Sequence, residues 1–229
     1  MNKICLFLLM PLVLTSCLDD IFFPDSHNGS IIFKIDWGDR RENSKLYRKI
    51  IINNDTLELI NANIIISDIK LIGNNNTYDL SNYIMLKDIN SVSFRNVKFD
   101  NYKISFKIGL DTEIHKNLNI FDDLYINDNY YLIKSTISDK FNDKNYFYNL
   151  ADVSKEISYF EVSEDGFEPG AGMFVNQAEV YINLENILSA PNVINKNELT
   201  ESVIENEDLQ IKMFQNLKNS SINADFIYD

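Results

Sequence analysis

Alternation between apolar and polar residues constrains the fold of this chain most strongly, and it is clearest from Tyr102 to Ile108. Every second residue in this segment is apolar, and the residues between are lysine or serine. A period of two predicts a β-strand with one buried face and one solvent-exposed face. The pattern ends at Gly109, and the loop that follows carries Asp111 and His115. Because rigid strands often present functional groups at their ends, this loop is a candidate site.

Similar alternation along the chain predicts about nine strands. Segments dense in β-branched residues favour strand over helix, and the glycine and asparagine cluster at 73–76 predicts a turn. Because no βαβ rhythm occurs, we expect a mainly β fold, an antiparallel β-sandwich with a C-terminal helix. The expected strands cover 30–37, 57–60, 61–72, 77–87, 91–97, 102–108, 130–137, 157–162 and 178–184.

One helix is expected near the C-terminus. Leu209, Met213 and Leu217 recur at helical spacing, which predicts an apolar stripe packed in the core. Asn206 precedes two acidic residues, a favourable N-cap for such a helix. Loops are expected at 38–43, 138–151 and 165–172, and one helical turn at 117–123.

Residues 1–16 resemble a bacterial lipoprotein signal peptide. One basic residue precedes an apolar run that is too short to span a bilayer as a helix. The run ends in Leu14-Thr15-Ser16-Cys17, which resembles a lipobox. In such signals the cysteine is acylated and the chain is cut just before it. The alternative is a short buried hydrophobic helix with a chance cysteine.

Acylation of Cys17 would fix both the location and the thiol content of the protein. Cys5 would leave with the signal, so the domain would have no free thiol and no disulfide. Several acyl chains such as palmitate on one residue give stable anchoring. We expect a protein anchored in the cell envelope, at an outer membrane, facing the periplasm or the surface. Residues 17–28 form an acidic tether, which resembles the surface-export signal of Bacteroidota lipoproteins or is only a solvated spacer, and 29–229 form one domain.

Charge and motif content exclude several classes of function. The chain has 34 acidic and 21 basic residues, and a formal net charge of −13 repels nucleic acid. No phosphate-binding loop, nucleophile elbow or zinc-protease motif is present. Two histidines cannot build a three-histidine zinc site. We therefore expect a protein that is not an enzyme.

The loop after the central strand holds the candidate metal ligands. Asp111, Glu113 and His115 make a D-x-E-x-H pattern that combines oxygen and imidazole ligands, and imidazole suits copper, zinc or iron. We take Asp111 and His115 as the candidate ligands. The alternative is that Asp111 caps the turn after Gly109 and that His115 is only an exposed loop residue. The other histidine, His27, is expected to be a solvated residue of the tether.

Three segments, in order, resemble the MbnP-like family, which is named for a methanobactin-associated copper-binding protein. Residues 67–71, SDIKL, match its S-[ND]-I-x-L strand, and 106–112, FKIGLDT, match its F-x-[IL]-G-[VL]-D-[ST] segment. Residues 180–184 and the Met213-Phe214 pair match its later strand and its C-terminal region. The resemblance implies a lipid-anchored binding module with copper as its metal.

The chain departs from the family in one segment. The family's M-Y-W-x-W run corresponds here to residues 124–130, which contain no tryptophan. The resemblance therefore extends to fold and location more directly than to a ligand. The alternative function is a structural or interaction lipoprotein that binds a protein or glycan partner without metal.

Overall fold

The structure is a computed structural model, and it describes part of the chain. None of the helices in the described ranges combines the length and the apolar character that a membrane span requires. The described residues are 26–36, 41–42, 45–46, 49–52, 55–98, 100–109, 125–126, 129–139, 141–151, 159–162, 176–199 and 206–227.

Fourteen strands and two α-helices make up the described part of the chain, so the protein is mainly β. The first strands are β1 (Ser26–Asp36), β2 (Arg41–Glu42), β3 (Lys45–Leu46), β4 (Lys49–Ile52), β5 (Asp55–Ile72), β6 (Thr77–Leu86) and β7 (Ile89–Lys98). The later strands are β8 (Lys103–Ile108), β9 (Tyr125–Ile126), β10 (Asn129–Asp139), β11 (Lys144–Ala151), β12 (Tyr159–Val162), β13 (Asn176–Asn183) and β14 (Ile222–Ile227). The helices are α1 (Leu184–Ser189) and α2 (Glu207–Ser220), with a 3₁₀ turn at Lys196–Glu198 between them.

Two large sheets form the sandwich. The small sheet has the order β14-β13-β1-β7, and the large sheet has eight strands along the path β11-β10-β5-β8-β12, with β4 and β6 beside β5 and β9 beside β10. Across the core, Phe33 of β1 meets Phe106 of β8 edge to face, with ring centroids 5.2 Å apart. The predicted β-sandwich with a C-terminal helix is thus confirmed. Strand β1 lies between β13 and β7, and it pairs with β13 in parallel and with β7 antiparallel.

Strand β5 is the longest described strand and connects the two halves of the large sheet. Its first half pairs with β4 and β10, and its second half pairs with β6 and β8. The separate strands predicted at 57–60 and 61–72 are therefore one element. Asp68 has a left-handed φ of 51° and lies at a bulge where the register with β8 shifts.

Several other segments also differ from the sequence predictions. Segment 138–151 was expected to be a loop, but it contains β11, which pairs with β10 and buries Tyr146 and Leu150. Its many asparagine and tyrosine residues hide the alternation. Strand β1 begins at Ser26, so the last three residues of the expected tether, including His27, are strand. Helix α1 and strand β14 were not expected.

The β10–β11 turn lies at the end of the sandwich opposite the start of β1. At the start of β1, Ser26 pairs with Lys98 of β7. At the other end, Asn183 pairs with Asp36, and α1 follows directly. Helix α1 contacts β4, which precedes β5. Ser138, near the end of β10, pairs with Glu58 near the start of β5, so the β10–β11 turn lies at the same end as α1. We call the two ends the β1-start end and the hairpin end.

Candidate functional site

The predicted site residues Asp111 and His115, and the lipidation residue Cys17, lie outside the described residues. The predicted helical turn at 117–123 and the predicted loop at 165–172 also lie outside them. His27 lies on β1, where the structure describes its backbone. Among the described residues, no group of three or more histidine, cysteine, aspartate or glutamate side chains is placed to hold a metal ion.

The structure describes the base of the candidate loop at Gly109. The Gly109 N–H donates to the Ile65 carbonyl at 2.8 Å, and its carbonyl accepts from Ser67 Oγ at 2.5 Å. Gly109 has a φ of 105°, and a Cβ there would clash with the side chain of Leu132. The positive φ favours glycine at this position, because residues with a side chain rarely adopt it. The base of the loop is fixed to β5 independently of any ligand.

Two of the segments that resemble the MbnP-like family are hydrogen-bonded neighbours. Residues 67–71 lie on β5 and 106–109 lie at the end of β8, which pairs with β5. Packing explains most of their side chains, because the apolar positions of both segments are buried. The buried apolar residues are Ile69, Leu71, Phe106 and Ile108. These segments thus have structural roles that need no metal.

The outer face of the large sheet is less exposed than the alternation of β8 predicts. Ser105 lies on this face but is buried, and the Lys107 side chain is only 14% exposed. The bulged Asp68 has its carboxylate oxygens 3.5 Å from Lys107 Nζ and 3.0 Å from Lys70 Nζ. The expectation of a fully wet face is wrong at Ser105 and Lys107, whereas the Lys103 side chain on the same face is 57% exposed.

A second polar cluster lies on the outer face of the small sheet around Glu179. The carboxylate lies 2.5 Å from Lys34 Nζ and accepts hydrogen bonds from Gln177 Nε2, at 2.8 Å, and from the Tyr181 hydroxyl. Burial alone would raise the pKa of Glu179, but the hydrogen bonds from Lys34 and Tyr181 outweigh it and lower this pKa. The same hydrogen bond raises the pKa of Tyr181. The charges of this cluster compensate each other, as on many sheet surfaces.

The third cluster surrounds the β10–β11 turn at the hairpin end. Asp139, the last residue of β10, is buried, and its Oδ1 accepts from the backbone N–H groups of Phe141 and Asn142 at 3.1 and 3.2 Å. Its Oδ2 accepts from Asn142 Nδ2 at 2.8 Å and lies 3.3 Å from Lys196 Nζ. Lys196 Nζ also lies 2.7 Å from Asp55 Oδ2. One lysine therefore links the turn to the start of β5.

The pKa shifts of Asp139 and Lys196 agree with the hydrogen bonds and ion pairs at the turn. The hydrogen bond from the Asn142 side chain, together with those from backbone N–H groups and Lys196, lowers the pKa of Asp139 despite its burial. The Asp55 carboxylate, followed by Asp139, raises the pKa of Lys196. Asp139 and Lys196 are therefore both ionised near neutral pH. The turn carries an aromatic ring that lies in solvent, because the Phe141 side chain is 95% exposed.

This cluster was not predicted from the sequence. Segment 138–151 contains aspartates and asparagines that are typical of turns, and Asp139 is an Asx-type acceptor for the residues that follow it. These residues could have indicated the turn after Asp139. The contact with Lys196, 57 residues further along the chain, has no sequence signature.

No family model, curated protein or solved structure matches this chain. The geometry of the described residues and the sequence motifs therefore carry the functional argument.

Proposed function

We propose that the protein is a lipid-anchored module of the bacterial cell envelope that binds a macromolecular partner and is not an enzyme. The observation that carries the proposal is the position of β1. It begins nine residues after Cys17 and lies in the middle of the small sheet, hydrogen-bonded to β7 and β13. An anchor on Cys17 would thus be joined directly to the core of the domain.

The length of the connection limits how far the β1-start end can lie from the membrane. Nine extended residues span at most about 30 Å, which is comparable to the size of a small domain. The β1-start end would therefore stay within this distance of the membrane, and the hairpin end, at the opposite end of the sandwich, would be free to face away from it. Such a module presents its hairpin end to partners in the periplasm or outside the cell.

Cys17→Ser tests the anchor. We expect the variant to move from the membrane fraction to the soluble fraction or to accumulate as an unprocessed precursor, because no thiol remains for acylation. Membrane fractionation with immunoblotting measures this. Cys5→Ser is the matched control, since it removes the other thiol of the chain and should leave fractionation unchanged. Unaltered processing and membrane association of Cys17→Ser would contradict the lipoprotein proposal.

A role in copper binding is tested separately, because the resemblance to the MbnP-like family implies it. In calorimetric titration with Cu²⁺, we expect the Cys17→Ser protein expressed without residues 1–16 to show no saturable uptake. We expect Asp111→Asn to lower stability by about 1 kcal/mol, as for loss of a turn hydrogen bond, and His115→Ala to leave stability unchanged. Copper uptake that both substitutions abolish would instead make Asp111 and His115 metal ligands.

A further inference from the structure

The strand that follows the proposed anchor is held on both of its edges. Residues 29–36 of β1 pair in parallel with residues 176–183 of β13, and residues 26–34 pair antiparallel with β7. Cys17 precedes the first residue of this strand by nine positions. A pull on the anchor would therefore enter the domain at the start of β1 and run along the strand.

A pull along β1 loads its hydrogen bonds in shear. Strand β13 ends at the hairpin end, where Asn183 is followed directly by α1. A partner that holds the hairpin end would therefore draw the end of β13 and the start of β1 in opposite directions along two parallel strands. Ladder hydrogen bonds lie across the strands, so many of them must break together before β1 can slide. A sideways pull would instead break them one pair at a time.

Side-chain contacts on the outer face hold β1 in register with β13. Lys34 Nζ lies 2.5 Å from Glu179 Oε1, and Asn183 Nδ2 donates to Asp36 Oδ2 at 2.8 Å. Asp36 and Asn183 are directly opposite each other, whereas Lys34 and Glu179 are diagonal neighbours. A slip of β1 by one residue would break both contacts, because it moves every side chain of the strand to the other face.

The inner face and the β7 side add further obstacles to sliding. Ile31, Phe33 and Ile35 are buried in the core, so movement of β1 along its own axis would pull them through a close-packed interior. Near the start of the strand, the Asn96 N–H donates to Asn28 Oδ1 at 3.0 Å, beside a bulge in the ladder with β7. Such a bulge fixes the register of the two strands.

We propose that β1 is a mechanical clamp, which keeps the domain folded on its anchor when a bound partner is pulled away from the membrane. The proposal rests on the proposed function, because only a chain that is held at Cys17 is pulled from this point. Any partner that holds the hairpin end would load the same two strands. The clamp acts on the rate of unfolding under force, which decides how long a stretched domain stays folded.

Single-molecule pulling in two geometries tests the clamp. The chain from Cys17 to Asp229 contains one natural thiol, so one added cysteine defines the second attachment point. Val193→Cys, at a side chain that is 63% exposed and follows α1, loads β1 and β13 in shear. Arg95→Cys, at an exposed position of β7 near the β1-start end, pulls β7 sideways off β1. At equal loading rates, we expect the rupture force to be about threefold higher with Val193→Cys.

A third substitution separates the clamp from general stability. Lys34→Met removes the ion pair with Glu179, which joins β1 to β13 and not to β7. This change should lower the rupture force by about a fifth in the shear geometry and leave the force in the sideways geometry unchanged. Lys103→Met, at a side chain of β8 that is 57% exposed, is the matched control and should change neither force. Equal losses in both geometries for Lys34→Met would contradict the clamp.

Two further outcomes would overturn the proposal. Equal rupture forces in the two geometries would mean that the direction of the pull does not matter. An early lengthening at low force in the shear geometry, with the other strands still folded, would mean that β1 leaves the sheet first. The anchor is tested separately, because persistent membrane association of Cys17→Ser would contradict the proposed function and leave the measured forces as they are.

Discussion

At the scale of single residues, three aromatic rings join the two sheets. Phe106 is fully buried, meets Phe33 of the small sheet at 5.2 Å, and stacks on Phe160 of β12 with a centroid distance of 5.8 Å. Edge-to-face and stacked pairs at such distances add to the stability that burial gives. Phe106 is therefore the residue whose truncation should most directly weaken contact between the sheets.

Phe106→Ala should lower the free energy of unfolding by roughly 3–5 kcal/mol, because it removes a buried ring and leaves a cavity. Lys107→Ala should cost about 1 kcal/mol or less, because its ion pair with Asp68 is weak but partly buried. Lys103→Ala, at a side chain that is 57% exposed, is the control and should stay within about 0.5 kcal/mol. Urea denaturation measures all three. Similar losses for Phe106 and Lys103 would contradict the assigned faces of β8.

Some important residues could not be predicted from the sequence. Asn216, in the middle of α2, is fully buried, and its side chain makes hydrogen bonds to the backbone of Ile187 and of Asn192. Asparagine in a sequence usually indicates a turn or a cap, and nothing local marks it as a link between a helix and a distant loop. The apolar stripe of the same helix was predicted correctly, because periodicity is a local signal.

At the scale of elements, prediction succeeded where alternation is strict and failed where polar aromatic residues replace aliphatic ones. Strands β6, β7, β8 and β10 were expected within a few residues of their observed bounds. Strand β11 was missed, because tyrosine and asparagine take up half of its positions and suggest a loop. The pairing of β1 with β13 joins residues about 147 apart, and no local pattern can indicate such a partner.

The β10–β11 hairpin provides an element-scale prediction about pH. Hydrogen bonds from Asn142 and Lys196 lower the pKa of Asp139 in the folded state. A lowered pKa stabilises the fold above the unfolded value of about 4, and this contribution is lost as pH falls through the folded value. We therefore expect Asp139→Asn to destabilise the protein at pH 7, and the difference from the parent to shrink as pH falls below about 4.

Urea midpoints measured from pH 7 to pH 2 check this prediction for the hairpin. Asp79→Asn is the control, because the Asp79 side chain is 81% exposed, and its midpoints should follow those of the parent throughout. The urea midpoints of Asp139→Asn and the parent could instead differ by a constant amount across this pH range. That result would show that the ionised carboxylate does not stabilise the turn.

At the scale of the whole molecule, the N-terminal strand completes the small sheet. Ile31, Phe33 and Ile35 of β1 belong to the shared core, and the strand makes hydrogen bonds on both of its edges. Each fully buried side chain of this kind contributes roughly 1.5–3 kcal/mol. Together these contributions are comparable to the total stability of a typical domain. The part of the chain nearest the proposed anchor is therefore also part of the folding core.

Two truncations test this dependence on β1. A protein that starts at Ser26 should fold and melt cooperatively, because every residue of β1 is kept. A protein that starts at residue 37 should lose cooperative melting, because β7 and β13 lose their common neighbour and the Phe106 ring loses Phe33. Circular dichroism during heating measures both. A cooperative transition in the shorter protein would mean that the small sheet forms without its N-terminal strand, and that an anchor on Cys17 is joined only to a dispensable segment.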